Sequence, residues 1–423
     1  MSRFVGVIGI VLFLAIAYAM SNNRKHINYK TVGVGLLLQI LLAVFILKVP
    51  VGVKIFSYVA LIINKILDSS MKGAEFVFGW LCGPKSEIVI APPDNFIYAI
   101  MLIATMVLIM SLVNILYYYG IMQKVIYFLG KLMNKLMDVS GAEALSNCAS
   151  PFVGNVAAQS MIKPYLPNLT RSELLSSMSG STACLSCGCL AMYAGLGVPL
   201  EYLLAASVMA APGAFVISKI VYPETDIPQT KENFKISKRR TDANVLSAIS
   251  KGAADGMKVS INIIAMLIAL VALIAFCNVA LGKLGIFLAT TCGLDWSGAG
   301  IDLNNLTIES IVGKVFAIFA SVMGASWGNI EQVGTLIGEK LILNECIGYI
   351  HMLSMDGLTP KSIAIATFAL AGFANLSTVA IQIGGIGELA PNQRKNLARL
   401  SIKAMICGTL TSYVSACIAG ILI

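Results

Sequence analysis

Charge is scarce in this chain. Asp, Glu, Lys and Arg together make up only 12% of its 423 residues, while 57% are hydrophobic. A soluble domain could not keep so much apolar surface from water, so the composition excludes a soluble enzyme or binding module and points to an all-α polytopic membrane protein. Extended polar regions are also lacking. The longest, residues 223–242, is too short for a catalytic domain. No paired-cysteine pattern suggests an oxidising compartment. Cys184-Leu-Ser-Cys187-Gly-Cys189 superficially offers ligand spacing. It has no nearby His or carboxylate, and its Ser, Ala and Gly neighbours are those of a closely packed apolar helix. The formal charge of +9 would suggest nucleic acid in a soluble protein. In a membrane protein it reflects basic residues retained on the cytoplasmic side, so no nucleic-acid partner is expected.

The apolar runs predict about eight spans. They lie at Phe4–Met20, Thr31–Leu47, Asn95–Leu116, Arg171–Leu196, Leu200–Tyr222, within Asn244–Leu281, and at Ser362–Ile383 and Leu400–Ile423. The first run could also be a signal peptide. Its length, and the Arg24, Lys25 and Lys30 that follow it, favour a span with the N-terminus outside. Val51–Phe78 interleaves Lys54, Lys65 and Lys72 with apolar residues and reads as an interfacial amphipathic helix. With these spans the loops holding Arg24, Lys124, Arg239 and Arg394 fall inside, and those around Glu201 and Asp302 outside, as the positive-inside rule requires; the lysine-bearing helix Val51–Phe78, which this order places outside, is the exception.

Two stretches are too polar and too interrupted to cross. Ser150–Pro167 contains Pro151 and Gly154, which should both break a helix, together with Asn155, Gln159 and Ser160. Val312–Tyr349 is rich in Gly and carries Ser326, Asn329, Glu331, Glu339, Lys340, Asn344 and Glu345. Irregular backbone at membrane depth is tolerated only inside protein or along a cavity, so both are expected to be re-entrant hairpins lining a path. Each is followed by a span, a loop and another span, with the loops on opposite sides, which is the layout of inverted-topology repeats. Chain segments follow as residues 1–91, scaffold spans and interfacial helix; 92–243, third span, first hairpin and two spans; and 244–423, a scaffold span, second hairpin and two spans.

Glu345 is the strongest single candidate, because an intramembrane carboxylate is costly and marks a functional site by default. The competing assignment is a structural pair with Lys340 or Asn344. Asn375, beside Ser377 and Thr378 in an apolar span, is the next candidate, with interhelical hydrogen bonding as its alternative. Glu143 is either a functional carboxylate or a helix N-terminal charge. His351 has no partner at ligand spacing and is assigned to the interface.

These residues sit in motifs that resemble the concentrative nucleoside transporters. The likeness runs in order through Ile27-Asn-Tyr-Lys30, Ser140-Gly-Ala-Glu-Ala-Leu-Ser146, Ile162-Lys-Pro-Tyr-Leu-Pro167, Tyr222-Pro-Glu-Thr225, Gly338-Glu-Lys-Leu-Ile-Leu-Asn-Glu345, Gly372-Phe-Ala-Asn375 and Ile383-Gly-Gly-Ile-Gly387. The resemblance implies a homotrimer in the plasma membrane, the bacterial inner membrane, that imports nucleosides or a related ribosylated solute by symport with H+ or Na+. It implies no cofactor beyond the coupling ion and no enzymatic activity. It also implies a ribose grip at Glu345, Phe373, Asn375 and Thr378, with Cys189 among the substrate contacts. The base-reading tip falls on Asn155, Val156 and Ala157, where the family's Gln-Thr/Ser-Glu is replaced. Asn155 keeps an amide, but Val156 and Ala157 offer no side-chain hydrogen bond, so base selectivity should be altered, unless Gln159 and Ser160 compensate. The sodium ligands of the family fall on Ser150, Val153, Cys184 and Leu185. A thiol is a poor ligand for a hard cation, which makes proton coupling through Glu345 the preferred reading. A passive channel, a carrier of a non-nucleoside solute, and a redox protein using the three cysteines are the alternatives.

Overall fold

The computed structural model describes residues 2–82, 97–231, 243–291 and 303–423, and no strand occurs among them. The helices run as α1 (Ser2–Ala19), α2 (Tyr29–Leu47), α3 (Pro50–Phe78), α4 (Tyr98–Tyr118) and α5 (Ile121–Met137). A group of short helices follows: α6 (Gly141–Val153), α7 (Asn155–Met161), α8 (Arg171–Ala183) and α9 (Cys187–Gly195). Then come α10 (Leu200–Val221) and α11 (Val245–Thr290). The second half continues with α12 (Ile308–Met323), α13 (Ile330–Ile342), α14 (Glu345–Ser354), α15 (Pro360–Leu370), α16 (Leu376–Leu389) and α17 (Arg394–Leu422).

The two halves repeat the same order. A long apolar helix, a second helix, a two-armed hairpin and a broken helix occur as α4 to α9 and again as α11 to α16; α10 and α17 close the two sets. The long helices pack against each other in opposite directions. A Cβ on Gly252 would lie 2.6 Å from the Met110 carbonyl oxygen, and one on Gly256 2.6 Å from that of Met106, so the chain number rises on α11 as it falls on α4. Only glycine allows backbones this close, and the antiparallel pairing is what an inverted repeat needs.

The sequence placed most spans correctly but drew several of their interiors wrongly. Pro151 does not break its helix. It sits in the last turn of α6, and the break comes at Gly154, whose φ of +87° excludes most side chains. The second hairpin is shorter than Val312–Tyr349: α12 is a separate helix packed on α13, and the hairpin arms are α13 and α14, joined at Leu343–Asn344. Arg171–Leu196 and Ser362–Ile383 are not continuous helices but the pairs α8–α9 and α15–α16. The span expected within Asn244–Leu281 extends to 46 residues in α11, about 69 Å long and well beyond a bilayer core.

Helix α1 is part of the core, with Phe13 fully buried and its ring 5.3 Å from Tyr413 and 6.0 Å from Phe319. Helix α3 is long and apolar enough to cross a membrane, yet Lys54, Lys65 and Lys72 are exposed along it. Counting it as a span would put Arg24 and Lys124 on opposite sides, whereas an interfacial placement keeps them on one side but leaves Lys54, Lys65 and Lys72 on the outer side. Arg239, Asp302 and the boundary at 91–92 lie outside the described residues.

Candidate functional site

Four helix breaks meet in the interior. The α8–α9 break is extended at Cys184 (φ −117°, ψ 161°), and Ser186 caps α9 by accepting from the Cys189 N–H at 3.5 Å. The cysteines expected inside a continuous helix are therefore at its interruption. In the other half Asn375 caps α16, its Oδ1 accepting from the Thr378 N–H at 2.9 Å, the Thr378 hydroxyl at 2.9 Å and the Ser377 hydroxyl at 2.7 Å. Gly372 (φ +116°) lets the breaks meet, since a Cβ there would lie 2.7 Å from the Ala183 carbonyl oxygen.

A helix that stops in an apolar interior exposes carbonyls needing donors. Lys340, fully buried, supplies them to α15: its Nζ donates to Ala369 O at 2.8 Å and to Ala371 O at 3.5 Å. The Ser412 hydroxyl also donates to Ala371 O, at 2.5 Å. Lys340 is thus committed to backbone and not to the structural pair with Glu345 that the sequence allowed. Asn344 caps α14 by accepting from the Ile347 N–H at 3.0 Å.

Glu345 is the first residue of α14 and is buried. Its two oxygens are held by side chains from different helices. The Tyr193 hydroxyl of α9 donates to Oε1 at 2.9 Å, and Asn375 Nδ2 donates to Oε2 at 3.1 Å. Both oxygens are placed as acceptors at the N-terminus of α14. The Tyr193 ring packs on Tyr349 at 4.6 Å. Beside it the Tyr98 hydroxyl lies 3.0 Å from Cys346 Sγ and donates to Met192 Sδ at 3.6 Å. Thr378 and Cys189 are buried and Phe373 is half-buried. The structure therefore brings Glu345, Asn375 and Thr378 together, with Tyr193 as a member the sequence did not single out and Lys340 in a role other than the pairing it offered.

The tip of the first hairpin reaches the same region. Gly154 sits against Ser186, with 3.5 Å from a built Cβ to the serine Cβ. Asn155 Oδ1 accepts from Gln382 Nε2 at 3.4 Å, and that amide also donates to Met178 O at 2.9 Å and Ser181 Oγ at 3.1 Å. Val156 packs tightly on Gly385 of α16, and Ala157 is exposed. Gln159 and Ser160 do not compensate for the lost polar residues. Gln159 is fully buried, accepting from the Ser177 hydroxyl at 2.7 Å and donating to Ser177 O at 3.1 Å. The exposed Ser160 donates to Ala157 O at 2.7 Å.

Ser150 and Val153 occupy the end of α6, just before Gly154, and Cys184 and Leu185 the break just before Ser186, whose side chain Gly154 faces. The Ser150 hydroxyl donates to Ser146 O at 2.9 Å, and the Cys184 thiol is buried. Two further candidates find their places. Glu143 is a structural carboxylate: it closes a capping box with Ser140 and pairs with buried Lys219 at 2.8 Å. His351 does have a partner, with Nδ1 2.7 Å from Glu339 Oε1.

Three family patterns cover most of the chain. The N-terminal domain of the Na+ dependent nucleoside transporters matches residues 8–81, the nucleoside recognition gate 99–200, and the transporter C-terminal domain 202–420. An uncharacterized transporter of Haemophilus influenzae is 40% identical over 430 residues, covering 100% of this chain and 98% of its own. The nucleoside permease NupC of Helicobacter pylori is 35% identical, with 100% and 98% covered. Among solved structures, CNTnw in an inward-facing substrate-bound state superposes with a TM-score of 0.91 at 35% identity, covering 100% of this chain and 98% of that one. Sequence and fold thus agree from end to end: the chain is a multi-pass membrane protein of the concentrative nucleoside transporter family.

Proposed function

We propose that this nucleoside transporter imports ribonucleosides, or a closely related ribosylated solute, by proton symport across the plasma membrane, holding the sugar at Glu345, Asn375 and Thr378. The observation that carries this reading is the grip on both oxygens of Glu345 by Tyr193 and Asn375. A carboxylate so held has lone pairs left to accept from vicinal hydroxyls. Phe373 and Cys189 complete the wall on the sugar side. On the base side, the packed Val156, the exposed Ala157 and an Asn155 engaged by Gln382 leave little to read a polar edge, so selectivity among bases is weak.

Protonation of Glu345 turns one acceptor oxygen into a donor. At Oε1 the Tyr193 hydroxyl can reverse its bond and accept, whereas at Oε2 the Asn375 amide nitrogen cannot accept and must turn away, which links a proton there to the local conformation. The alternative cation, Na+, would meet the Ser150 hydroxyl, the carbonyls of Val153 and Leu185, and the Cys184 thiol, a donor that suits a hard ion poorly. The chain works as a homotrimer in which the scaffold elements of residues 1–91 and α11 hold still while the hairpins and broken helices move.

Uptake of labelled ribonucleosides into vesicles tests the proposal. Accumulation above equilibrium under an inward proton gradient, and not under a sodium gradient, is expected. Sodium-driven accumulation would overturn the proton assignment. Equilibration without accumulation under either gradient would mark a passive channel.

A further inference from the structure

Helix α5 divides its circumference three ways. Met122, Ile126, Gly130, Met133 and Met137 recur at helical spacing and are buried against the protein. A second stripe, Ile121, Val125, Phe128, Leu132 and Leu136, is apolar yet exposed, with Phe128 at 66%. Between that stripe and the far edge of the packed face run Lys124, Lys131 and Lys135, all exposed, and none forms an ion pair among the described residues. The helix contains no acid. Its C-terminal end is tied to the start of α2, where the Thr31 hydroxyl donates to Met137 O at 2.9 Å, and this places exposed Lys25 and Lys30 along the same edge of the protein.

An exposed apolar stripe flanked by a cationic one is the pattern of a helix lying in a membrane interface, acyl chains against one stripe and headgroups against the other. The charge decides what covers this face. Burying three lysines in a subunit contact without counter-charges is costly, whereas anionic headgroups supply those charges while leaving the lysines hydrated. The positive-inside count puts this loop on the cytoplasmic side, where anionic lipid attracts basic segments.

We propose that α5 is a docking surface for anionic phospholipids of the cytoplasmic leaflet, and that it passes this contact to the first hairpin. The second part follows from packing. α5 lies directly on hairpin arm α6, with Gly130 so close that a Cβ there would be 3.3 Å from Leu145 Cα. Holding α5 at the lipid surface therefore fixes the outer end of the arm whose inner end carries Gly154 and Asn155.

A tryptophan placed in the apolar stripe tests the contact directly. Phe128→Trp is made in protein whose 3 native Trp are replaced by Phe. It is reconstituted with brominated phosphatidylglycerol or brominated phosphatidylcholine at equal mole fraction. Quenching should show a preference for the anionic lipid of at least about fivefold in relative association, since each lysine near an anionic surface contributes about that factor. Lys124→Gln, Lys131→Gln and Lys135→Gln together should bring the ratio to about one, as should high salt acting by screening. Equal quenching in the parent, or a ratio that survives the triple change, would overturn the docking surface. So would a triple variant that runs as a smaller particle, because the face would then be a subunit contact. Uptake read in vesicles of graded phosphatidylglycerol content tests the link to the hairpin. It should rise with anionic lipid in the parent and stay flat in the triple variant, and a parallel rise in both refutes that link. If quenching behaves as expected but no ribonucleoside is carried in any lipid, the transport reading fails and the lipid surface stands.

Discussion

Changing Tyr193→Phe should weaken nucleoside binding while leaving the protein folded. The perturbation removes one oxygen atom, the donor to Glu345 Oε1 at 2.9 Å, and keeps the ring that packs on Tyr349 at 4.6 Å. A hydrogen bond to a charged acceptor contributes about 1.5–3 kcal/mol. If ribose hydroxyls are received only by a carboxylate held in this orientation, that loss appears in substrate affinity. It corresponds to a rise in KM of about 10- to 100-fold, with a smaller change in maximal rate. The assay is initial-rate uptake of a ribonucleoside into vesicles at matched protein content. Tyr349→Phe is the matched control: its hydroxyl donates to Thr367 O at 2.9 Å and not to Glu345, so the same chemical change one ring away should leave KM nearly unaltered. A Tyr193→Phe protein with wild-type KM, or one in which both variants lose affinity equally, would refute the role given to this hydroxyl.

Glu345→Gln keeps the size of the side chain but removes its titration, so nucleoside-dependent proton entry, followed with a pH dye inside vesicles, should vanish; normal proton entry would remove the carboxylate from the coupling step. Lys340→Met strips Ala369 O of a buried donor at a cost of about 1–3 kcal/mol. Thermal unfolding in detergent should begin at lower temperature, and an unchanged transition would mean that another donor takes over. Introducing Gln, Thr and Glu at Asn155, Val156 and Ala157 should sharpen discrimination among bases in competition uptake, because Ala157 is exposed and has room for a longer side chain. Unaltered competition profiles would show that this tip does not read the base. Gly372→Ala forces a Cβ to 2.7 Å from Ala183 O at a φ of +116°, and strain of about 1–3 kcal/mol should appear as reduced thermal stability and folded yield.

Much of the architecture was legible because it rests on signals carried by neighbouring residues. Runs of apolar side chains located α1, α2, α4, α10 and α17. Glu345 and Asn375 stood out because polar groups in apolar surroundings are rare. The reading failed where a local signal was ambiguous. Pro151 can close the last turn of a helix as readily as it breaks one. The small, hydroxyl-rich residues from Ser176 to Gly188 fit a packed helix and an unwound one equally well.

From the sequence alone came the membrane class, the order of spans and hairpins, the repeated halves and the residues whose burial demanded an explanation. Only the tertiary structure decided that α8–α9 and α15–α16 are broken, that Lys340 and Ser412 satisfy the carbonyls released by the second break, and that Tyr193 bonds Glu345 and Gln382 bonds Asn155. The physical reason is distance along the chain. Hydropathy and turn preference are properties of adjacent residues, but Tyr193 and Glu345 are 152 positions apart and Asn155 and Gln382 are 227. Whether an interrupted helix can exist at membrane depth depends on such remote partners, and they become neighbours only when the two halves close on each other.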